Sequence, residues 1–139
     1  MSISITETGD LRTCLALRHL VFVAEQGVPI EEEADAYDAT ATHFLAFDGA
    51  APVATARVTY APEMAKIGRV CVLPSYRGTG LGAAMINAAL DHIRATSTPL
   101  ARLGAQVQAI GFYEGLGFSV ISEEYDDAGI PHVDMERRP

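Results

Sequence analysis

The chain is short of basic residues, of cysteine and of uninterrupted apolar sequence, and each shortage closes off a class of function. Ten Lys and Arg stand against 18 Asp and Glu, a formal net charge of −8 over 139 residues. A surface of that sign repels phosphate backbones, so nucleic acid is not an expected partner, although a local pocket for one small anion stays open. The two cysteines, Cys14 in LRTCLALR and Cys71 in RVCVL, have no second Cys or His at metal-ligand spacing. They read as reduced, buried thiols of a cytosolic protein. No stretch approaches the roughly 18 apolar residues of a membrane span. The N-terminal MSISITETGD has neither the basic start nor the apolar segment of a secretion signal. A soluble, cytoplasmic protein with no membrane partner is expected. Repeats, low-complexity tracts and linkers are also missing, so residues 1–139 read as a single domain.

What is present is an ordinary globular balance, 49% apolar and 20% charged. Ser2 to Thr6 alternates as a first strand, and Thr8 or Asp10 caps a helix through Ala24 with Leu17, Leu20, Val21 and Ala24 at helical spacing. Gly27 and Pro29 stop it, and residues 30–41 form an acidic loop or short helix. Strands His43–Phe47 and Val53–Tyr60 flank the hairpin signal Asp48-Gly49, and Ile67–Leu73 is a third strand bounded by Pro74. Gly80–Ala95 is a strongly apolar helix, with stripes at Leu81, Met85 and Ala88 and at Ile86, Leu90 and Ile93. Leu100–Leu103 is a short strand, Gln106–Leu116 a helix ended by Gly117, and Phe118–Ser122 and Ile130–Arg137 two closing strands. This β-α-β-β-β-α-β-α-β-β order predicts an α/β (α+β) domain with a mostly antiparallel central sheet between helical layers.

Chemistry is concentrated in RVCVLPSYRGTGLGAAM, residues 69–85. An apolar strand runs into a turn, and Arg77-Gly78-Thr79-Gly80-Leu81-Gly82 then opens the long helix. Glycines let the backbone approach a ligand, successive N–H groups point outward, and the helix N-terminus adds positive potential. The loop is an anion cradle, with Arg77 supplying a full charge beside it. A nucleoside-triphosphate P-loop fails because no Lys follows Gly82. A dinucleotide fingerprint on Gly78, Gly80 and Ala83 lacks its acidic ribose partner about 20 residues on, where Pro99, Ala101 and Arg102 stand. The third reading is the pyrophosphate of coenzyme A.

Arg77–Gly82 resembles the R-x-x-G-x-G/A loop of the GNAT superfamily of N-acetyltransferases. VCVLP resembles that family's fourth strand, and QVQAIGFYEGLGF (106–118) its N-x-x-A-x-x-x-Y-x-x-x-G-F signature. LRHLVFVAEQGVP, LGAQ and EYDDAGIPHVDM extend the similarity along the chain, toward the ElaA-like branch. The resemblance implies a three-layer α/β/α sandwich and acetyl-CoA as co-substrate, with no metal. It implies that the backbone of Val70, Cys71 and Val72 pairs with the pantetheine arm like an added strand. The amides of Arg77, Gly78, Thr79, Gly80, Leu81 and Gly82 would hold the pyrophosphate, Gln106 would stand in for the motif's Asn, and Tyr113 would protonate the leaving thiolate. Some members carry a Glu base five residues before the Asn position. That residue is Ala101 here, so the motif leaves the base unassigned.

For the acceptor, a small-molecule primary amine, the acidic segment Glu31–Asp38 offers Asp35 and Asp38, and Arg18 and Glu25 share a face of the first helix. His132 alternates with the apolar Val133 and Met135 and so faces away from the core, where an imidazole suits proton acceptance. A second resemblance, in the spacing of Arg18, Phe22, Asp35, Asp38 and Arg57, is to acyl-homoserine-lactone synthases. Against it, Val28 stands at that family's Trp and the intact coenzyme A loop is foreign to enzymes fed by carrier protein. A non-catalytic acyl-CoA sensor is the third reading. Oligomeric state is left open.

Overall fold

The computed structural model describes residues 2–139. Strands β1 (Ile3–Thr8), β2 (Thr42–Asp48), β3 (Ala51–Tyr60), β4 (Met64–Val72), β5 (Leu100–Gln106), β6 (Ser119–Val120), β7 (Tyr125–Asp127) and β8 (Ile130–Arg137) build one sheet. Its order is β1-β2-β3-β4-β5-β8-β6, with β7 also on β8. Only β4 and β5 run parallel. Helix α1 (Leu11–Arg18), with α2 (Ile30–Glu33) beside it, covers one face; α3 (Leu81–Ala95) and α4 (Ile110–Gly115) cover the other. The expected α/β/α sandwich with a mixed, mostly antiparallel sheet is the fold observed.

Side-chain alternation decides which face each strand residue serves. On β2, Phe44 and Ala46 pack with the α3 layer while Leu45 joins Cys14, Leu17 and Val21 of the first helix. On β3, Ala54, Ala56 and Val58 face α3, whereas Thr55 and Arg57 face the other way; the Thr55 hydroxyl donates to the Phe44 carbonyl at 2.7 Å. Helix α3 buries Leu81, Met85, Ile86, Ala89, Leu90 and Ile93 against this surface, merging the two expected stripes into one wide one.

The register of β3 on β4 contains one irregularity. Thr55 lies opposite Cys71 and Arg57 opposite Gly68, so three steps on β4 match two on β3. That extra residue is a β-bulge, with Arg69 at φ 51°. Before it Ala65 and Ile67 face α3; after it Cys71 faces the first helix and Val70 and Val72 pack toward α3.

Several elements differ from the sequence reading. The first helix reaches Glu25, but from His19 onward it is a π-helix, with the Gln26 N–H bonded to the Val21 carbonyl at 3.0 Å. The wider turn changes the phase, and Leu20 and Ala24, expected on the buried stripe, are exposed. Strand β5 continues to Gln106 because β8 pairs with it that far, so the helix expected from Gln106 is a 3-10 turn, Val107–Ala109, followed by the short α4. The strand expected over 118–122 is only Ser119–Val120, and β7 was not anticipated.

Candidate active site

Strands β4 and β5 are paired from Met64↔Leu100 to Ile67↔Leu103 and no further. Both continue, β4 to Val72 and β5 to Gln106, so beyond the bulge the parallel pair opens as a fork. The β5-facing edge of residues 68–72 has no strand partner, and an open edge of that kind is a template for an added strand. A cleft of about 310 Å³ occupies the fork, lined by Gly68, Arg69 and Val70 on one side and Gly104, Gln106 and Tyr113 on the other. Phe22, Gln26 and Glu33 wall it from the helical layer, and Tyr125 and His132 close the far side.

One end of the fork meets the glycine loop. Gly78 and Gly80 adopt φ of 76° and 86°, the left-handed region that other residues enter at a cost, and Gly80 forms the N-cap of α3. Among the described residues the N–H groups of Gly78, Thr79 and Gly80 have no backbone partner, and the first intrahelical bond runs from the Ala84 N–H to the Gly80 carbonyl at 3.0 Å. The loop is braced from below: the Thr79 hydroxyl donates to the Tyr76 carbonyl, and the Tyr76 hydroxyl donates to Asp48 at 2.6 Å. A row of unsatisfied N–H donors at a helix start fits a pyrophosphate.

Arg77 is less free than the sequence suggested. Its Nη1 and Nη2 donate to the two carboxylate oxygens of Glu25 at 2.6 and 2.8 Å, and its Nε donates to the Val72 carbonyl. The Arg77 bond holds the Glu25 carboxyl below the usual carboxylate range. Glu25 therefore lies at the cofactor end of the fork, beside an exposed hollow of Leu20, Ala24, Leu73 and Pro74, and not among the residues lining the cleft.

The acidic segment also has a different role from the expected acceptor trap. Arg18 is 1% exposed; its guanidinium holds Glu33 through Nε and Asp38 through Nη1 at 2.7 Å and Nη2 at 3.1 Å. Arg57 donates to Asp35 at 2.7 Å and to Asp38 at 2.9 Å, and Arg69 reaches Asp35 at 3.3 Å. Burial pushes the Asp38 carboxyl up, but the bonds from Arg18 and Arg57 outweigh it and hold it well below the usual range. Asp35 is lowered likewise, burial opposing and Arg57 prevailing. Three carboxylates and three guanidiniums thus neutralise one another behind the cleft, and only Glu33 and Arg69 of the six line it. Arg18, Asp35 and Asp38 are placed as a packed ionic brace. Composition alone does not separate that arrangement from a solvated acidic loop; Arg57 was grouped with Arg18, Asp35 and Asp38 only by the spacing of the second resemblance, and Arg69 was not marked at all.

Tyr113 reaches the cleft from α4. Its ring packs edge-on against Phe118 and Phe112, burial pushes its phenol above the ordinary range, and its hydroxyl makes no hydrogen bond among the described residues. A protonated phenol with a spare donor, lining the cleft, is equipped to give a proton. Gln106 is tied to Gln26 at 3.1 Å and accepts from Gln108. His132, cross-strand from Gln106, keeps Nδ1 within 2.7 Å of the Ile130 carbonyl. Cys71 is packed under the first helix, where burial pushes its thiol up to about 12, so it holds no thiolate for covalent chemistry.

A parallel pair forked by a bulge, with a glycine cradle at one end and a buried phenol beside the opening, is the architecture of the acyl-CoA-dependent N-acyltransferases. The chain belongs to the GNAT family of acetyltransferases, whose domain model, described as Acetyltransferase (GNAT) domain, matches residues 20–139. It is similar to a Bacillus subtilis (strain 168) protein provisionally named an acetyltransferase, 41% identical over 137 residues, covering 96% of this chain and 93% of that one. Among solved structures it is similar to Escherichia coli ElaA, with a TM-score of 0.87 and 30% identity over 98% of this chain and 99% of that one. An acyl-CoA N-acyltransferase from Pseudomonas aeruginosa gives 0.85 and 29%, each chain covered to 98%. The fold alone is shared with a GNAT acetyltransferase from Elizabethkingia anophelis solved with acetyl-CoA bound, at a TM-score of 0.76, 13% identity and 99% coverage of both chains.

Proposed function

We propose that the protein transfers an acetyl group from acetyl-CoA to a primary amine of a small molecule, by direct attack with both substrates bound. The observation that carries this reading is the fork: an unpaired strand edge at residues 68–72, leading from the N–H cradle at Gly78–Gly80 to the free hydroxyl of Tyr113. The cradle residues would hold the pyrophosphate, and the strand edge would pair with the pantetheine arm as an added strand. Acetyl-CoA brings the activated thioester. Holding an amine against it turns a bimolecular reaction into one within a complex, from which much of the acceleration in such a site comes.

Proton handling falls to this chain's own groups. Tyr113, protonated and unbonded, would donate to the thiolate as the C–S bond breaks. His132 has its Nδ1–H committed to the Ile130 carbonyl, which leaves Nε2 as the acceptor for the amine proton. The testing experiment is release of free coenzyme A thiol from acetyl-CoA across a library of small amines. Amine-dependent release supports transfer. Binding of acetyl-CoA with no release against any amine supports the sensor reading instead.

A further inference from the structure

The side of the cleft opposite the helical layer is built around a tyrosine that the sequence motifs leave without a role. β7 and β8 are joined by Ala128-Gly129, with φ of 53° and 82°, the two left-handed residues of a tight two-residue hairpin turn. The turn sets Tyr125 directly across from His132. The two rings stack with centroids 6.0 Å apart and planes within 24°. The Tyr125 hydroxyl passes beyond the histidine and donates to Asp134 Oδ1 at 2.6 Å, while the Asp134 N–H is bonded to the Ser122 hydroxyl at 2.8 Å. The hydroxyl is seated over Gly104 of β5. A Cβ at that glycine would stand 2.9 Å from the Tyr125 oxygen, closer than real contacts allow. Backbone conformation does not explain the glycine, because its φ is not in the left-handed region. The space above it does.

We propose that Tyr125, anchored on Asp134 in the gap that Gly104 leaves, is a positioning residue that holds the His132 ring with Nδ1 on the Ile130 carbonyl and Nε2 free for the acceptor amine. The inference rests on the proposed role of His132 and adds the device that orients it. An imidazole on an exposed hairpin otherwise turns about its side-chain torsions and samples both tautomers. The ring stack stops the rotation, and the anchor stops the tyrosine from swinging away. Orientation is worth this much structure because a misplacement of about 1 Å costs roughly 100-fold in rate.

The test uses full-length protein, with Tyr125→Leu, Tyr125→Phe, Gly104→Ala and the double variant Gly104→Ala/Tyr125→Phe. Two readouts are taken: turnover with the best amine from the thiol-release screen, and the 15N signals of the His132 ring, assigned by their loss in His132→Gln. In the parent the neutral ring is expected as the Nδ1–H tautomer. Tyr125→Leu and Gly104→Ala are each expected to mix the tautomers and to lower kcat by about 10- to 100-fold, with the KM for acetyl-CoA unchanged. Tyr125→Phe keeps the stack and should fall between parent and Leu. The double variant should recover toward Tyr125→Phe, because the oxygen that the new methyl strikes is gone; a merely fold-weakening Ala would not be rescued. Unchanged tautomer and turnover in Tyr125→Leu would overturn the proposal. So would a Tyr125→Phe that loses all turnover with the ring signals intact, since the phenol would then be a proton donor. A His132→Gln variant with the parent rate would instead sink the role of His132 itself.

Discussion

Asp38→Asn is the sharpest test of the ionic brace behind the cleft. The carboxylate accepts two bonds from Arg18 and one from Arg57, and its own side chain is 7% exposed. Asparagine keeps the size and one acceptor oxygen but removes the charge, so Arg18, buried at 1% exposure, keeps only the Glu33 carboxylate as counter-charge. Breaking one partner out of a buried ion pair costs about 3–5 kcal/mol, far more than the ~0–1 kcal/mol of an exposed pair. For a chain of 139 residues that is a fall in melting temperature of roughly 10–17 °C. Differential scanning calorimetry at neutral pH measures it. The pH dependence follows from the sign of the shift. Asp38 and Asp35 are held below their unfolded values, so their stabilisation is complete above about pH 4 and is lost as pH falls through the folded values. The gap between parent and Asp38→Asn should therefore narrow on acidification below about pH 4. A variant that melts within 2 °C of the parent at neutral pH, or a gap that widens in acid, would refute the brace.

Acetyl-CoA at a hundred times its dissociation constant should stabilise the parent by about 2.7 kcal/mol in a thermal shift assay, and Gly80→Asp should abolish the effect by placing a charged side chain in the cradle at a left-handed position. Arg77→Gln should weaken acetyl-CoA by less than about fivefold in calorimetric titration, because its charge is already spent on an exposed partner; a loss near 100-fold would make Arg77 the main phosphate contact. Tyr113→Phe should lower turnover by roughly 10²–10⁴-fold while the acetyl-CoA dissociation constant stays put, and a parent-like rate would hand the thiolate's proton to water. His132→Gln should lower turnover by a similar roughly 10²–10⁴ factor with the acetyl-CoA dissociation constant unchanged, whereas a parent-like rate would move the proton acceptor elsewhere.

The cofactor end of the site was legible in the sequence because it is local. Gly78, Gly80 and the start of α3 are contiguous, and left-handed glycines before an apolar helix have few other uses. The acceptor end was not legible, because it is assembled from distant strands. Arg18 and Glu25 fall on one helix in the sequence, yet Arg18 turns inward to Asp38 while Glu25 reaches 52 residues ahead to Arg77. Tyr125 falls within EYDDAGIPHVDM, which carries the resemblance but gives it no role, and a three-residue strand carries too little alternation to be seen. The bulge was equally hidden: an extra residue on β4 is defined only against its partner β3.

That single bulge connects most of what the site does. One added residue reverses the phase of β4, so Cys71 turns under the first helix while Val70 and Val72 turn toward α3. It leaves Arg69 in a left-handed conformation, with Nε on the Glu33 carbonyl and Nη2 on Asp35, which ties the opened strand to the ionic brace. Bulges as a rule increase the local twist, and pairing with β5 stops just before this one, at Ile67. The strand edge that a pantetheine arm would take up is therefore exposed by the same irregularity that supplies one of its anchors. Loosening the brace at Arg57 or Asp35 should act on the opened strand edge through Arg69, and the glycine cradle, held from below by Tyr76 and Asp48, has no share in that path. The strand edge and the glycine cradle are thus fixed by separate sets of contacts.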